Sequence, residues 1–310
     1  MLTTLIPTKN HGIYLDHLLG NVILHPDSPV AQLLICNDGS TDDTAAILAR
    51  YAADPRVRVF ENKSSIGAMA SLMTMYQHVQ TPYVSFMASD DFFYPAQMAR
   101  LLREMVERDA YFGFGKYNIL DGTQVTELQH PGWRARHMDG ADDFRALLGF
   151  DHYAFLCTSI FRKDQLPRHG AREIPYDLEL DGLVSADGRG EFRGHDWNLA
   201  IEMAIAHPGR IHFLNEYCGS FRKVASQMSS DEIYSHTGRS AYEMALLLLR
   251  HLSKYPLRRR LKESPAFVTA VQNLFVAKFN QITPQARESS HFHEIYKPVL
   301  LAANSLMSNM

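Results

Sequence analysis

The chain has 310 residues, of which 46% are hydrophobic and 21% are charged. This balance is typical of globular proteins and excludes a wholly disordered chain. The net charge is −3 with histidine neutral, which argues against a protein that coats nucleic acid, so any anionic partner has to be held by a local group of residues.

Short apolar runs alternate with helix-period segments over the first 110 residues. The runs predict strands at Leu2–Ile6, Ala31–Cys36, Val57–Phe60 and Tyr83–Met87. The intervening segments predict helices at 13–23, 40–51, 66–79 and 96–108. Ser40 and Asp43 resemble a capping box that opens the second of these helices. Such alternation is typical of an α/β fold with a mainly parallel sheet covered by helices.

The pattern is less regular from about residue 110 to residue 225. Long loops are predicted at 121–140 and 167–194, a helix at Trp197–Ala206, and strands at Ile211–Leu214 and Tyr217–Phe221. Beyond residue 230 the chain becomes helical, with further helices predicted at 266–280 and 291–307. The sequence therefore predicts an α/β part followed by a helical extension.

The three cysteines lie far apart, which predicts reduced thiols and gives no support for a disulfide framework or a structural zinc site. Neither a signal peptide nor a run of about 18 apolar residues is visible. From these features we expect a cytoplasmic protein.

Polar side chains follow three of the four predicted N-terminal strands. They are Pro7-Thr8-Lys9-Asn10 after the first strand, Asn37-Asp38-Gly39-Ser40 after the second and Ala88-Ser89-Asp90-Asp91 after the fourth. Ligands of open parallel sheets bind outside the carboxyl ends of the strands. We therefore expect these three segments to form one ligand-binding rim.

Asp90 and Asp91 form the pair with the clearest chemistry. Adjacent carboxylates repel each other unless a cation or a hydrogen-bond donor compensates them, and Mg²⁺ or Mn²⁺ with oxygen ligands would do so. Such an ion can bridge a diphosphate. The alternative for this pair alone is a solvated turn before a helix.

Asp38 has two interpretations as well: an acceptor for a nucleoside, or an Asx turn before Gly39.

Two other nucleotide-binding classes fit the first strand end poorly. No G-x-G-x-x-G segment follows this strand, which argues against a nicotinamide-dependent dehydrogenase. The stretch from Ile6 to Ile13 also lacks the glycine-rich basic loop of nucleotidylyltransferases.

Six segments stand in a specific order along the chain. They are Leu5-Ile6-Pro7-Thr8-Lys9-Asn10, Asn37-Asp38-Gly39-Ser40-Thr41-Asp42, Glu61-Asn62 with Gly67, Ser89-Asp90-Asp91, Gly194-His195-Asp196-Trp197 and Ser220-Phe221-Arg222. This set resembles the family 2 glycosyltransferases, which have a GT-A fold. The resemblance implies a catalytic domain at 1–228, with a nucleotide-sugar-binding half at 1–110 and an acceptor-binding half at 111–228. A helical extension at 229–310 would follow.

The resemblance implies an inverting, metal-dependent glycosyltransferase. The enzyme would move a sugar from a nucleotide-diphosphate donor, with UDP-sugars favoured, to an acceptor hydroxyl in surface polysaccharide or lipopolysaccharide synthesis. The Q-x-x-R-W signature of processive synthases is missing, which favours a single addition.

Site residues are implied by position in the same motifs. The nucleotide-binding residues would be Pro7, Thr8, Asn10, Asp38, Ser89 and Asp90, and the ligands of Mn²⁺ or Mg²⁺ would be Asp90 and Asp91. Asp196 would be the catalytic general base that takes the proton of the acceptor hydroxyl.

The sequence departs from the family pattern at four places. Asn37 and Ala88 replace acids, His195 replaces a glutamate, and an arginine is missing from the segment 67–73. Fewer charges therefore flank a diphosphate than the family pattern provides. The alternative function is a catalytically degenerate partner protein that binds sugar nucleotides.

The tail carries a basic stretch at 250–262 without an acid. This stretch is compatible with peripheral contact at the inner face of an anionic membrane that carries a lipid-linked glycan acceptor. A solvated face on packed helices, or a homodimer through the C-terminal helices, is the alternative.

Overall fold

The structure is a computed structural model of the whole chain. It describes residues 1–130, 133, 155–170, 173–177, 179–180, 192–224, 232, 234–252 and 265–309. Most of the basic stretch, from residue 253 to residue 262, and parts of the two predicted loops lie outside the described residues.

The described strands form one nine-stranded sheet. They are β1 (Leu2–Thr8), β2 (Val30–Asp38), β3 (Val57–Asn62), β4 (Tyr83–Phe86), β5 (Phe92–Phe93), β6 (Phe112–Asp121), β7 (Gln124–Glu127), β8 (Ser159–Arg162) and β9 (Ile211–Lys223). The order across the sheet is β3-β2-β1-β4-β8-β6-β9-β5, and β7 pairs with the far half of β6.

The described helices of four residues or more, numbered along the chain, lie between and after these strands. They are α1 (Gly12–Leu19), α2 (Thr44–Tyr51), α3 (Ala68–Tyr76), α4 (Pro95–Glu107), α5 (His195–Ala206), α6 (Arg239–Leu252), α7 (Pro265–Asn280), α8 (Pro284–Arg287) and α9 (Lys297–Ser308). A π-helical turn at Gly20–Leu24 follows α1, and another at Phe292–Tyr296 precedes α9.

Strands β3, β2, β1 and β4 are mutually parallel, so their carboxyl ends meet at one edge of the sheet. The register sets Thr8 opposite Asn37 and Leu5 opposite Phe86. Strands β8, β7 and β5 join antiparallel, whereas β6 and β9 are parallel to each other. The predicted α/β class with C-terminal helices is confirmed.

The chain divides into two compact units. The first combines Met1–Asp143, Tyr153–Asp177 and Glu202–Val224, and the second combines Phe144–His152, Leu178–Ile201 and Ala225–Met310. The sheet belongs to the first unit. Its core is made of residues that are at most 8% exposed, among them Leu15, Leu18, Met98, Leu101 and Met105 at helical spacing on α1 and α4.

The second unit contains α6, α7, α8 and α9 together with the first residues of α5. The ring of Tyr242 on α6 stacks on Tyr296 at a centroid distance of 4.6 Å. Helix α9 buries Leu300, Ala303 and Met307 at helical spacing. Among the described residues, no helix combines the length and the apolar character that a bilayer crossing requires.

The start of α2 differs from the prediction. The helix begins at Thr44, and its N-cap residue Asp43 makes no capping hydrogen bond through its side chain. Asp42 instead accepts from the backbone N–H of Thr44 through Oδ1 at 3.1 Å. Ser40 lies further back and accepts from the backbone N–H of Asn10, so the capping box is not formed.

Candidate active site

The ends of β1 and β2 are joined by reciprocal hydrogen bonds. The backbone N–H of Asn10 donates to Ser40 Oγ at 2.9 Å, and the backbone N–H of Thr41 donates to Asn10 Oδ1 at 2.8 Å. Asn10 adopts a left-handed conformation with φ 55°, which asparagine tolerates better than most residues. The bonds tie the first two strand ends into one surface.

The ends of β1 and β4 are joined through His11. Its Nδ1 lies 2.7 Å from Ser89 Oγ, and Ser89 is 2% exposed. Thr8 is equally buried, and its Oγ1 has no hydrogen-bond partner among the described residues. Because buried hydroxyls are nearly always satisfied, the hydroxyl of Thr8 is suited to a ligand.

The carboxylate of Asp38 accepts five hydrogen bonds. Its Oδ1 accepts from Asn62, Ile66 and Ser71, and its Oδ2 accepts from Ser65 and Gly67, at distances from 2.6 to 3.1 Å. Burial acts to raise the pKa of Asp38, but the donors outweigh it and hold the pKa below its ordinary value. Asp38 therefore fixes the loop between β3 and α3 through an ionised carboxylate.

Asn37 forms a second link between β2 and β3. Its Nδ2 donates to Glu61 Oε2 at 2.8 Å, and its Oδ1 accepts from the backbone N–H of Ser40 at 3.1 Å. The amide thus uses a donor and an acceptor at once, which an aspartate could not do. Asparagine in place of the aspartate of the family pattern therefore allows both hydrogen bonds, to Glu61 and to Ser40.

Asp90 and Asp91 follow β4 and are 9% and 4% exposed. Burial, followed by the charge of Asp90, raises the pKa of Asp91 well above its ordinary value. The backbone N–H of Arg222 donates to Asp91 Oδ1 at 2.9 Å, and Arg222 Nε donates to the carbonyl oxygen of Asp90 at 2.7 Å. The guanidinium of Arg222 also lies 4.7 Å from the centre of the Tyr14 ring. Strand β9 therefore places a positively charged side chain next to the aspartate pair.

Three hydrogen-bonded side chains join β9 and β6 to the start of α4. Tyr94 Oη lies 2.8 Å from Ser220 Oγ and accepts from Asn118 Nδ2 at 2.8 Å. Ser220 also donates to Asn118 Oδ1. The group holds the end of β9, and with it Arg222, in a defined place.

The donor set at Asp90 and Asp91 fits a divalent cation. Two adjacent carboxylates share a buried position, where burial and the charge of Asp90 raise the pKa of Asp91. Carboxylate oxygens are the ligands that Mg²⁺ and Mn²⁺ prefer. The residues present therefore suit the metal that the sequence predicts.

Asp196 lies in the first turn of α5, in the second unit. Its Oδ1 accepts from the backbone N–H of Trp197 at 2.8 Å. Its neighbours His195 and Trp197 are 2% and 5% exposed, whereas Asp196 is half-buried. The helix therefore places this carboxylate toward a more open side than the residues that flank it.

Another group of metal-binding side-chain types lies in the first unit. His169 Nε2 is 2.9 Å from Glu202 Oε2, and its Nδ1 is 3.9 Å from Asp177 Oδ2. One potential ligand atom of each residue lies within 4.8 Å of the others. Because the imidazole turns a different nitrogen to each acid, the arrangement resembles an ion-pair bridge. Sequence patterns do not indicate this cluster, since its members are separated along the chain.

Comparison with known proteins decides the family. The sequence model of glycosyl transferase family 2 matches residues 3–166, which is more than half of the chain. The chain belongs to glycosyl transferase family 2. The matched segment includes all the strand ends that form the rim.

Individual relatives are similar over shorter stretches. TuaG of Bacillus subtilis (strain 168), assigned to teichuronic acid biosynthesis, is 29% identical over 133 residues, which are 42% of this chain and 52% of TuaG. WfgD of Escherichia coli, a UDP-Glc:α-D-GlcNAc-diphosphoundecaprenol β-1,3-glucosyltransferase, is 23% identical over 94 residues, which are 30% of this chain and 37% of WfgD. The chain thus matches about half or less of the length of these relatives.

Solved structures establish the fold. TarS 1–349 of S. aureus in complex with UDP-GlcNAc aligns with a TM-score of 0.53 and 15% identity over 98% of this chain and 91% of that chain. The mannosyltransferase PcManGT of Pyrobaculum calidifontis, in complex with GDP-Man and Mn²⁺, aligns with a TM-score of 0.51 and 13% identity over 99% of this chain and 86% of that one. The predicted GT-A fold is confirmed.

The structure places most predicted site residues on one rim. Those at or next to the ends of β1, β2 and β4 are Pro7, Thr8, Asn10, Asp38, Ser89, Asp90 and Asp91. Asp196 lies in the second unit, and the role of each residue stays a prediction. The contacts of His11 and of Arg222, which stands in one of the six family segments, were not predicted, because they are made with residues remote in sequence.

Proposed function

We propose that this chain is an inverting glycosyltransferase with a UDP-sugar as the favoured donor. It transfers one sugar to a hydroxyl of a glycan or lipid-linked glycan acceptor during surface polysaccharide or lipopolysaccharide synthesis. Two relatives support this class of product: TuaG, named for teichuronic acid biosynthesis, and the succinoglycan biosynthesis protein ExoU of Rhizobium meliloti (strain 1021), which is 28% identical over 102 residues. The cytoplasmic location belongs to the same proposal, with either a membrane contact through 250–262 or, as its alternative, a homodimer through the C-terminal helices.

The observation that carries the proposal is the buried aspartate pair with its neighbouring cation. Asp90 and Asp91 can hold Mn²⁺ or Mg²⁺, and Arg222 on β9 can add positive charge next to them. A bound divalent ion would neutralise the diphosphate and the charge that develops as it leaves. The PcManGT structure, which contains Mn²⁺, supports the metal without deciding between Mn²⁺ and Mg²⁺.

The chain's own residues would divide the remaining work. The hydroxyl of Thr8 and the loop fixed by Asp38 hold the nucleoside. Asp196 takes the proton of the acceptor hydroxyl as its oxygen bonds to the anomeric carbon. The bond from that carbon to the diphosphate breaks on the opposite face, and UDP leaves with the electron pair. A single displacement of this kind inverts the anomeric centre.

A degenerate sugar-nucleotide-binding partner is the second candidate. The substitutions at Asn37 and Ala88 favour it, since both remove an acid of the family pattern. Asn37 has a structural use between β2 and β3, which weakens this argument for one of the two positions. Detectable sugar transfer, or detectable donor hydrolysis, would exclude the second candidate.

The donor class is tested by ligand-dependent thermal stability. UDP, GDP and dTDP are each added with and without Mn²⁺, and a ligand at 100 times its Kd adds about 2.7 kcal/mol of stability. We expect the largest rise in melting temperature for UDP with Mn²⁺ and a smaller rise when EDTA replaces the metal. A rise with GDP or dTDP that exceeds the rise with UDP would contradict the donor assignment.

The metal residues are tested by calorimetry with UDP. We expect Asp90→Ala and Asp91→Ala to lose the Mn²⁺-dependent part of UDP affinity. Asp27→Ala changes an exposed carboxylate outside the rim and is the matched control. Equal UDP affinity in the two rim variants and the control would refute the metal assignment.

A further inference from the structure

Helix α6 carries an ion pair that is almost completely buried. Arg239 and Glu243 are each 1% exposed, and Arg239 Nε donates to Glu243 Oε1 at 2.6 Å. The two residues are one helical turn apart, so the pair needs no partner from another element to form. Buried pairs of this kind add little net stability compared with apolar residues of similar size. The pair with Arg239 alone therefore does not account for the burial of Glu243.

The second carboxylate oxygen of Glu243 binds the segment before α5. Its Oε2 accepts from the backbone N–H groups of Arg193 and Gly194, each at 3.0 Å, and from Tyr234 Oη at 3.0 Å. All of these residues belong to the second unit. The carboxylate thus joins α6 to a turn that lies 50 residues earlier in the chain.

The same turn starts α5. The carbonyl oxygen of Gly194 accepts from the backbone N–H of Asn198 at 2.8 Å, which is the first hydrogen bond of the helix. Gly194 directly precedes His195, the first residue of α5. Glu243 is therefore a hydrogen-bond acceptor supplied by another helix at the start of α5, and it binds the chain two residues before Asp196.

A second buried contact holds the next turn of α5. His251 Nε2 lies 2.8 Å from Asn198 Oδ1, and the two residues are 0% and 1% exposed. Helix α6 therefore contacts α5 on both sides of Asp196 along the chain, through Gly194 and through Asn198. Two such contacts restrict the rotation of the first turn of α5 about its own axis.

We infer that Glu243 is a positioning residue for Asp196. By binding the N–H groups of Arg193 and Gly194, it fixes the first turn of α5 and so the direction of the carboxylate that acts as general base. The inference rests on the proposed function, in which Asp196 takes the proton of the acceptor. It also assigns the helical extension a part in the reaction, because α6 belongs to that extension.

The test separates hydrogen-bond acceptance from charge and from packing. Glu243→Ala removes the acceptor. The double variant Arg239→Gln with Glu243→Gln keeps an acceptor toward Arg193 and Gly194 and removes both charges, since the two amides can bond to each other. Tyr234→Phe removes one donor to the same oxygen and leaves the two backbone bonds in place, so it is the matched control.

Hydrogen exchange measures the first effect without any substrate. We expect the peptide covering 192–199 to exchange about tenfold faster or more in Glu243→Ala, while the double variant and Tyr234→Phe stay close to the parent protein. Unchanged exchange in Glu243→Ala would overturn the inference. Equal acceleration in the double variant would also overturn it, since the ion pair rather than the acceptor would then matter.

Turnover measures the consequence for the reaction. UDP release from UDP-Glc and UDP-GlcNAc is followed with Mn²⁺, and UDP binding is measured by calorimetry. We expect kcat to fall about 10- to 100-fold in Glu243→Ala, with UDP affinity unchanged and with most of kcat recovered in the double variant. If Glu243 had a purely structural role, the active fraction would instead fall in proportion to the loss of stability, in Glu243→Ala and in the double variant alike.

Asp196→Asn separates this inference from the proposed function. If Asp196→Asn abolishes turnover and Glu243→Ala retains full kcat, the base assignment holds and the positioning role is wrong. If Asp196→Asn retains full activity, the base assignment itself is wrong. UDP binding by both variants reports that the first unit is folded, and chemical unfolding of both variants reports on the second unit.

Discussion

At the end of β2, Asp38 lies on the predicted rim, and its carboxylate binds groups of the protein itself. Sequence predicts an acceptor for a nucleoside or a local turn. The structure shows a carboxylate whose two oxygens bind five donors, which lie at the end of β3, in the loop after it and in α3. A direct nucleoside contact would have to share these oxygens, so we expect Asp38 to act on the proposed nucleoside site mainly by shaping the loop.

Asp38 makes a pH-dependent contribution to stability. Its lowered pKa means that the ionised carboxylate is favoured by the folded state. This contribution is complete above the pKa of an unfolded aspartate, about 3.9, and is lost as the pH falls through the lower pKa of the folded state. We expect Asp38→Asn to be less stable than the parent protein at pH 7, by roughly 1–3 kcal/mol because a buried N–H loses its acceptor.

Urea unfolding between pH 3 and pH 7 measures this difference. The gap between Asp38→Asn and the parent protein should narrow below about pH 4, where the unfolded carboxyl group also becomes protonated. Asp27→Asn, at an exposed position, is the control and should change stability little at any pH. A gap for Asp38→Asn that is constant across this range would mean that its charge has no part in the effect.

Arg222 is expected to strengthen UDP binding through its charge. The guanidinium packs on Tyr14 and donates to the carbonyl oxygen of Asp90. Arg222→Met keeps the apolar contact and loses the charge, so we expect the Kd of UDP with Mn²⁺ to rise about tenfold, as for one charged hydrogen bond. Arg222→Lys should lose less affinity. Unchanged affinity in Arg222→Met, measured by calorimetry, would rule out this role.

At the scale of elements, the sequence predicts the buried strands well and the irregular ones poorly. The apolar runs of β1 and β2 leave little choice, because both faces of these parallel strands are covered. Strand β6 was not predicted, since Gly113 and Gly115 interrupt its apolar pattern. Both glycines are structural: a Cβ there would collide with Met105 and Cys218, respectively.

Strand β9 shows a related difficulty. Two strands were predicted, and the structure contains one, Ile211–Lys223. Its pairing with β6 shifts register on either side of Lys116. An extra residue in one strand breaks the alternation of side chains on which a sequence pattern depends. The network of Tyr94, Asn118 and Ser220 depends on this pairing, so it could not be predicted either.

The loop between β2 and α2 depends on Gly39 for a close backbone approach. Gly39 has φ +70°, and a Cβ there would lie 2.7 Å from the backbone nitrogen of Ser65. Gly122 has φ +58° with open space around it and is the matched control. Each Gly→Ala change costs about 1–2 kcal/mol for the left-handed conformation. We expect Gly39→Ala to cost roughly 1–3 kcal/mol more through the clash.

The clash should also reach the ligand site, because Ser65 Oγ donates to Asp38. We therefore expect weaker UDP binding in Gly39→Ala and unchanged binding in Gly122→Ala. Chemical unfolding and calorimetry on the two variants measure both effects. Equal losses of stability in the two variants would show that the approach to Ser65 is not limiting.

At the scale of the whole molecule, motif positions predict candidate site residues, whereas the residues that support them are found from tertiary contacts. Glu243 illustrates the limit: in sequence it is one acid in a helix with many apolar residues. Only tertiary contact reveals that it binds the turn before Asp196. A single apolar stripe would leave Glu243 outside the core, whereas α6 is buried on more than one side.

The three cysteines provide a probe of the whole first unit. Cys36, Cys157 and Cys218 are at most 1% exposed, and all three are free thiols of that unit. Burial raises the pKa of each thiol, and only the thiolate reacts with disulfide reagents. We expect no thiol to react with Ellman's reagent in the native protein at pH 8, and three to react in denaturant.

Intermediate urea concentrations make this a measure of cooperativity. If the first unit opens in one step, all three thiols react at a common rate that follows its unfolding. UDP with Mn²⁺ should slow the common rate, because a ligand bound only to the folded state lowers the population of the open form. One thiol that reacts much faster than the others would show that part of the unit opens separately.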